Sequence, residues 1–286
     1  MSADSERPGA ARPASDFARA REAAASLGAR LRRNFEASRT FFARRRDGRF
    51  PIQPYDAFQI ADALALAASV FALLAILLDP YLVLWRTALP MPLRTFFSFF
   101  TDFGKADWIL IATGLSVIIA FVTDVTHLRP RFRVSHAIRV TAAAYVFVAV
   151  ALSGIIASLG KHVIGRARPK LFADNGSFAF DFWAWDSDWA ALPSGHATTG
   201  MAFGVALALL FPRLRWLFLC LGFWIVASRG FVGAHYPSDM FAGALLGALT
   251  AWLLARALAR YRLIFGFDGA GYLVRRKGAS GRLTRD

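Results

Sequence analysis

Three cations, two histidines and an acid are the residues of this chain best equipped for chemistry, and they fall in three short clusters. The first runs from Lys161 through His162, Gly165 and Arg166 to Arg168-Pro169. The second is Pro193-Ser194-Gly195-His196. The third runs from Ser228-Arg229 through Gly230 and Gly233 to His235, Tyr236 and Asp239. Such a set suits a phosphoryl group, whose transfer needs charge stabilisation on its equatorial oxygens while attacking and leaving oxygens stay roughly in line. Lys161, Arg168 and Arg229 supply positive charge. Backbone N–H groups around Ser194 and Gly195, at a helix start, add donors and a favourable dipole. One imidazole can attack phosphorus and form a covalent phosphohistidine, and the other can protonate the departing oxygen. His235 and Asp239 are four residues apart, so a helix beginning near Tyr236 lets the carboxylate face the ring and hold its tautomer. That pairing favours His235 as nucleophile and leaves His196 as acid. His196 has no acid close in sequence, which suits a general acid, although a partner could come from elsewhere.

The elements that must position these clusters are apolar. The chain has 286 residues, 56% of them hydrophobic, and a mean hydropathy of +0.43, above the ordinary globular range and typical of a membrane protein. Six apolar segments, near 58–78, 107–123, 138–160, 196–212, 214–232 and 237–257, approach the ~20 residues a bilayer span needs. An all-α bundle of six transmembrane helices follows. The net charge of +15 lies outside these segments. Arginines crowd the N-terminus, the stretch from Arg129 to Arg133, the turn at Arg213 and Arg215, and the C-terminus. In a six-span topology all four places share one side, which the positive-inside rule makes cytoplasmic. This basic balance reads as topology signal and contact with anionic lipid headgroups, with no nucleic-acid partner. The three reactive clusters then gather at the opposite, non-cytoplasmic edge. Residues 1–54 form a basic cytoplasmic tail, either disordered or an amphipathic helix carrying Phe17, Leu27, Leu31 and Phe35. Residues 55–260 hold the six spans, and 261–286 form a second basic cytoplasmic tail.

Each residue also has a plainer reading. A lone Lys or Arg at a span end is an interfacial anchor, and it is the company of two histidines and Asp239 that argues otherwise. His162 is a polar neighbour at the membrane edge, and the pattern does not require Arg166. His127 and His136 belong to a cytoplasmic connection. No metal site is expected, because three nearby cations would repel a divalent ion and the single cysteine, Cys220, lies in an apolar run. The connection 79–106 carries Phe96, Phe97, Phe99 and Phe100, a patch too short to span that lies at the interface or packs over the bundle. Segment 170–192 interleaves Phe and Trp with Asp, a composition that suits the headgroup belt more than a lid.

The three clusters, in this order and spacing, resemble the signature of the type 2 phosphatidic acid phosphatase superfamily. That signature is Lys, six residues, Arg-Pro; then Pro-Ser-Gly-His; then Ser-Arg, five residues, His, three residues, Asp. Every signature position is matched, and the layout covers roughly residues 55–260. The resemblance implies His235 as nucleophile, Asp239 as its orienting partner, His196 as acid, and Lys161, Arg168, Ser194, Gly195 and Arg229 as phosphate ligands. It implies catalysis without a metal or other cofactor, at the outer face of a bacterial inner membrane. The substrate would be a membrane lipid phosphate or diphosphate: undecaprenyl diphosphate, phosphatidylglycerophosphate, phosphatidic acid or lipid A. Other readings are a vanadium-dependent haloperoxidase, a lipid phosphotransferase and a non-enzymatic lipid transporter. Six spans weigh against the first, and charges gathered at one edge, away from the midplane, weigh against the last.

Overall fold

The computed structural model describes residues 13–45, 57–125, 128–269, 271–277 and 282–283, so the first twelve residues and His127 lie outside it, as does the side chain of Phe17. Ten helices are described: α1 (Pro13–Arg45), α2 (Ala57–Leu77), α3 (Asp79–Ala88), α4 (Met91–Asp102), α5 (Ala106–Val122), α6 (Pro130–Ile164), the single turn α7 (Phe172–Asn175), α8 (Gly195–Leu210), α9 (Arg215–Val232) and α10 (Pro237–Ala259). The six apolar segments are α2, α5, α6, α8, α9 and α10. Among the described residues five stretches are long and apolar enough to cross a membrane: Ala57–Leu77, Met91–Val122, Pro130–Ile164, Pro212–Val232 and Pro237–Ala259.

Helix α8 is the shortest of the six apolar segments. It has 16 residues, and at about 1.5 Å per residue it falls short of the roughly 30 Å hydrocarbon core. Its position explains why a short helix suffices. It packs against α6, α9 and α10, and Ala197, Thr198, Thr199, Gly200, Ala202 and Ala206 are buried. Other helices face the lipid, with Leu64 and Leu66 of α2, Ile111 and Ile118 of α5, Trp216 of α9 and Leu253 of α10 exposed. Side chains are small where α8 meets α10. A Cβ added at Gly247 would collide with the Thr198 carbonyl, and one at Gly243 with the Ser194 carbonyl, so the two backbones approach as small-residue stripes allow.

The core at the other end joins α5, α6, α8 and α10 through Ile109, Tyr145, Val150, Ala206 and Ala255. The Tyr145 hydroxyl donates to the Ala251 carbonyl (2.9 Å), and its ring meets Phe265 edge-on at 5.1 Å. Phe265 belongs to a small antiparallel sheet, β1 (Phe265–Phe267), β2 (Leu273–Lys277) and β3 (Arg282–Leu283), in that order. Nothing in the apolar periodicity announces these strands in a stretch read as a basic tail. At the N-terminus α1 is helical and meets α5, where Asn34 Nδ2 donates to the Phe121 carbonyl (2.7 Å). The phenylalanine patch of 96–100 lies in α4 and packs over α9, with Phe97 stacked on Phe231 at 3.9 Å.

Candidate active site

The three clusters meet at one end of the bundle because each sits where a helix stops or starts. Lys161 occupies the last turn of α6, which ends on Gly165 in the left-handed conformation. Ser194 is the N-cap of α8, and its backbone N–H donates to the Asp239 carbonyl (3.1 Å), tying the start of α8 to the start of α10. Arg229 lies in the last turn of α9. That helix closes on Gly233 at φ 72°, a conformation glycine adopts without penalty. The turn delivers His235 two residues later, just before α10.

His235 is 2% exposed, and its Nδ1 lies 2.9 Å from the Ala191 carbonyl oxygen. A carbonyl only accepts, so Nδ1 carries the proton and Nε2 keeps a free lone pair. Asp239 Oδ2 lies 3.9 Å from Nδ1, too far for a hydrogen bond. The orienting bond expected of Asp239 is therefore made by main chain, and the carboxylate adds charge at longer range. Burial, followed by the charges of Arg229, Arg168 and Lys161, holds the imidazole pKa well below its ordinary value, while the Ala191 hydrogen bond acts the other way. The ring is neutral and unprotonated at Nε2, as a nucleophile must be.

The groups around it are short of partners. Arg168 Nε, Arg229 Nε and Ser194 Oγ are buried and have no hydrogen-bond partner. Buried polar atoms are normally satisfied, so three orphans beside one neutral histidine describe a place for an anion. The hydroxyl of Ser194 is free because it makes no capping bond. The Lys161 ammonium lies against Gly195. His196, half-buried in the first turn of α8, packs on the turn at Gly104 and lies within electrostatic reach of Arg229, Lys161, Lys105 and Asp102. The carboxylate and amine of Asp102 and Lys105 pair at 2.8 Å. Among the described residues no three His, Cys, Asp or Glu side chains converge as metal ligands.

Several working parts were absent from the sequence-based list. Thr101, 7% exposed at the end of α4, accepts a 2.7 Å hydrogen bond from Arg229 Nη1. Among the described residues Arg166 is the largest fully buried side chain, and its two Nη atoms contact Asp239 (2.6 Å) and Asp79 (2.7 Å). Breaking one partner out of such a buried pair costs about 3–5 kcal/mol, so these residues hold each other firmly. Segment 170–192 runs back along the first cluster. Ala167 N–H donates to the Ala179 carbonyl (3.0 Å), Arg168 N–H to that of Asp188 (2.8 Å) and Ala191 N–H to that of Arg166 (3.1 Å). Its Phe182, Trp183 and Trp185 remain exposed. His162 fastens the loop, with Nδ1 3.0 Å from the Ala184 carbonyl and its ring stacked on Trp185.

Known proteins resemble the part of the chain that carries the three clusters. A family described as the PAP2 superfamily matches residues 142–262, the stretch from mid-α6 to just past α10. A lipid A 1-phosphatase of Rhizobium johnstonii is 39% identical over 184 residues, covering 64% of this chain and 75% of the relative. The chain belongs to the PAP2 superfamily. A lipid A 1-phosphatase of Rhizobium etli is 38% identical over 175 residues, covering 60% of this chain and 74% of that protein. Among solved structures, a transmembrane PAP2-type phosphatidylglycerolphosphate phosphatase from Bacillus subtilis aligns at 18% identity with a TM-score of 0.46, covering 66% of this chain and 92% of that one. This PAP2 protein is a membrane phosphatase, and its three clusters all fall inside the matched region.

Proposed function

We propose that the chain removes a phosphate from lipid A, at its 1-position, through a phosphohistidine on His235. The carrying observation is the set of orphaned donors, Arg168 Nε, Arg229 Nε and Ser194 Oγ, beside a buried histidine whose Nε2 is bare. The lipid assignment draws on the two rhizobial relatives, each matched over about three quarters of its length. In the first step the Nε2 lone pair of His235 forms a bond to phosphorus. The phosphorus–oxygen bond to the lipid breaks, and protonated His196 gives its proton to the departing oxygen. In the second step neutral His196 takes a proton from water, whose oxygen attacks phosphorus. The N–P bond breaks, and inorganic phosphate leaves. Lys161, Arg168, Arg229 and the Ser194 hydroxyl hold the equatorial oxygens throughout.

The same reading places both termini in the cytoplasm and the site toward the periplasm, supported by the arginines gathered at the end of the bundle away from His235. It takes α8 as a sixth, shielded crossing.

The test is phosphate release by purified protein from lipid A, phosphatidic acid, phosphatidylglycerophosphate and undecaprenyl diphosphate, each with a chelator present. Lipid A is expected to lose its 1-phosphate, the chelator to have no effect, and His235→Ala to lower turnover by about a thousandfold or more while still accumulating in the membrane. Turnover of another lipid in its place overturns the substrate assignment. Inhibition by chelator, reversed by a divalent ion, overturns the mechanism.

A further inference from the structure

A buried charge network behind His235 is anchored by a residue far outside the matched family region. Asp79, at the start of α3, is 0% exposed. Its Oδ2 accepts from Arg166 Nη2 (2.7 Å) and from the Ser238 hydroxyl (2.5 Å), and its Oδ1 accepts from the Ser238 backbone N–H (3.1 Å). That N–H lies in the first turn of α10, among the donors a helix start leaves unpaired. Asp79 thus caps α10 from another helix, 159 residues away in sequence. Arg166 carries the connection onward. Its Nη1 donates to Ser238 Oγ and Asp239 Oδ1 (both 2.6 Å), and its face stacks on Tyr236 at 4.6 Å. Asp239 Oδ2 accepts from the Tyr236 N–H (3.0 Å) and stands 3.9 Å from His235 Nδ1.

The charges in this network do not cancel. Two carboxylates face one guanidinium, leaving one negative charge in excess on the Nδ1 side of the ring. Lys161, Arg168 and Arg229 act on the same ring, and none of them belongs to the network. Arg166 and Asp239 alone would make a neutral pair; Asp79 supplies the surplus.

We infer that Asp79 is a positioning residue for phosphoryl transfer: it sets the first turn of α10 and, through Arg166 and Asp239, places a negative charge behind the nucleophile. The inference rests on the reading of His235 as nucleophile. When Nε2 gives its lone pair to phosphorus, the electrons of the broken P–O bond leave with the lipid oxygen. The ring keeps its Nδ1 proton and becomes positively charged. In a buried site that charge is costly unless an opposite charge offsets it. The network offers one, already ordered before substrate arrives.

Two variants of the full-length protein separate charge from shape. Asp79→Asn keeps acceptors for Ser238 and loses the charge, whereas Asp79→Glu keeps the charge. Turnover is normalised to folded protein, and phosphohistidine formation is followed in a single turnover with radiolabelled lipid phosphate. Asp79→Asn is expected to slow phosphohistidine formation and kcat together by about tenfold or more while KM stays within about twofold. Asp79→Glu is expected to recover most of the loss. Equal loss in both variants, a loss confined to the amount of folded protein, or failure of both Asp79→Asn and Asp79→Ser to accumulate assigns Asp79 a purely structural role and overturns the inference. If the unaltered protein forms no phosphohistidine, the nucleophile reading itself has failed. If it forms one and Asp79→Asn matches it, only the role of Asp79 has failed.

Discussion

The Lys161 ammonium rests against the α-carbon of Gly195, so close that a Cβ built there would stand 3.0 Å from Nζ. A flexible lysine can retreat from a methyl group at little cost in stability. It cannot do so without leaving the place where a phosphate oxygen would sit. Gly195→Ala is therefore expected to accumulate normally and to lose about tenfold or more in kcat/KM. Steady-state kinetics beside a thermal unfolding curve check this. A fall in stability with unchanged kinetics per folded molecule contradicts it.

A second expectation concerns the Arg229 fork. Thr101 Oγ1 receives Nη1 at 2.7 Å, leaving Nε, which has no partner, free for the substrate. Thr101→Val keeps the shape and removes the acceptor. It is expected to weaken kcat/KM by about tenfold, a typical cost of leaving a buried charged donor unpaired, and Thr101→Ser is expected to restore it. Equal impairment by Ser and Val would point to packing of the threonine methyl instead.

The protonation of His235 gives a third. Burial and three neighbouring cations lower its pKa, so the neutral ring is the form that persists as the pH falls. An ordinary imidazole is half-charged at about pH 6.5. In histidine-labelled protein the His235 ring, assigned by its disappearance in His235→Asn, is expected to remain neutral with Nδ1 protonated at the pH where an ordinary imidazole is half-charged. A titration midpoint near the ordinary value, or a proton on Nε2, contradicts the geometry.

The helix stripe gives a fourth. A Cβ at Gly247 would strike the Thr198 carbonyl and the Ala202 backbone nitrogen, at 2.8 Å from the latter. Neither is the movable end of a side chain. Gly247→Val is expected to cost about 1–3 kcal/mol or more through overpacking, seen as a lower unfolding temperature and less protein in the membrane. Unchanged stability would mean that α8 and α10 can separate freely.

The sequence reads well wherever a property is carried along one helix. The apolar runs that became α2, α5, α6, α9 and α10 are legible because lipid demands about 20 apolar residues whatever the rest of the fold does. The residues of the three clusters are legible because their order and spacing repeat a known signature. What stays hidden is decided across the bundle. Asp79 is one acid among 19 acidic residues in the sequence, and only folding brings it to Ser238. Thr101 looks like a polar break after four phenylalanines. Spacing placed Asp239 opposite His235, and the carboxylate stands 3.9 Å from Nδ1, beyond hydrogen-bond reach. It could not reveal that Arg166 and the Tyr236 N–H had already claimed both carboxylate oxygens. The shielding of α8 stays hidden for a related reason: hydropathy registers an apolar environment and does not distinguish lipid from other helices.

The acceptor that fixes the tautomer of His235 is the carbonyl of Ala191, and every amino acid has a carbonyl. No single substitution at position 191 deletes that oxygen, so the nucleophile is insulated against a kind of damage to which a side-chain partner is open. Its exposure lies elsewhere, in the path of the loop. Ala191 is held in place by the Arg166 carbonyl, and the same segment bonds to Arg168 through Asp188. A change of loop length anywhere in 170–192 would detune the histidine without touching a reactive atom. Descendants of this chain can therefore explore new side chains along the loop far more freely than insertions or deletions.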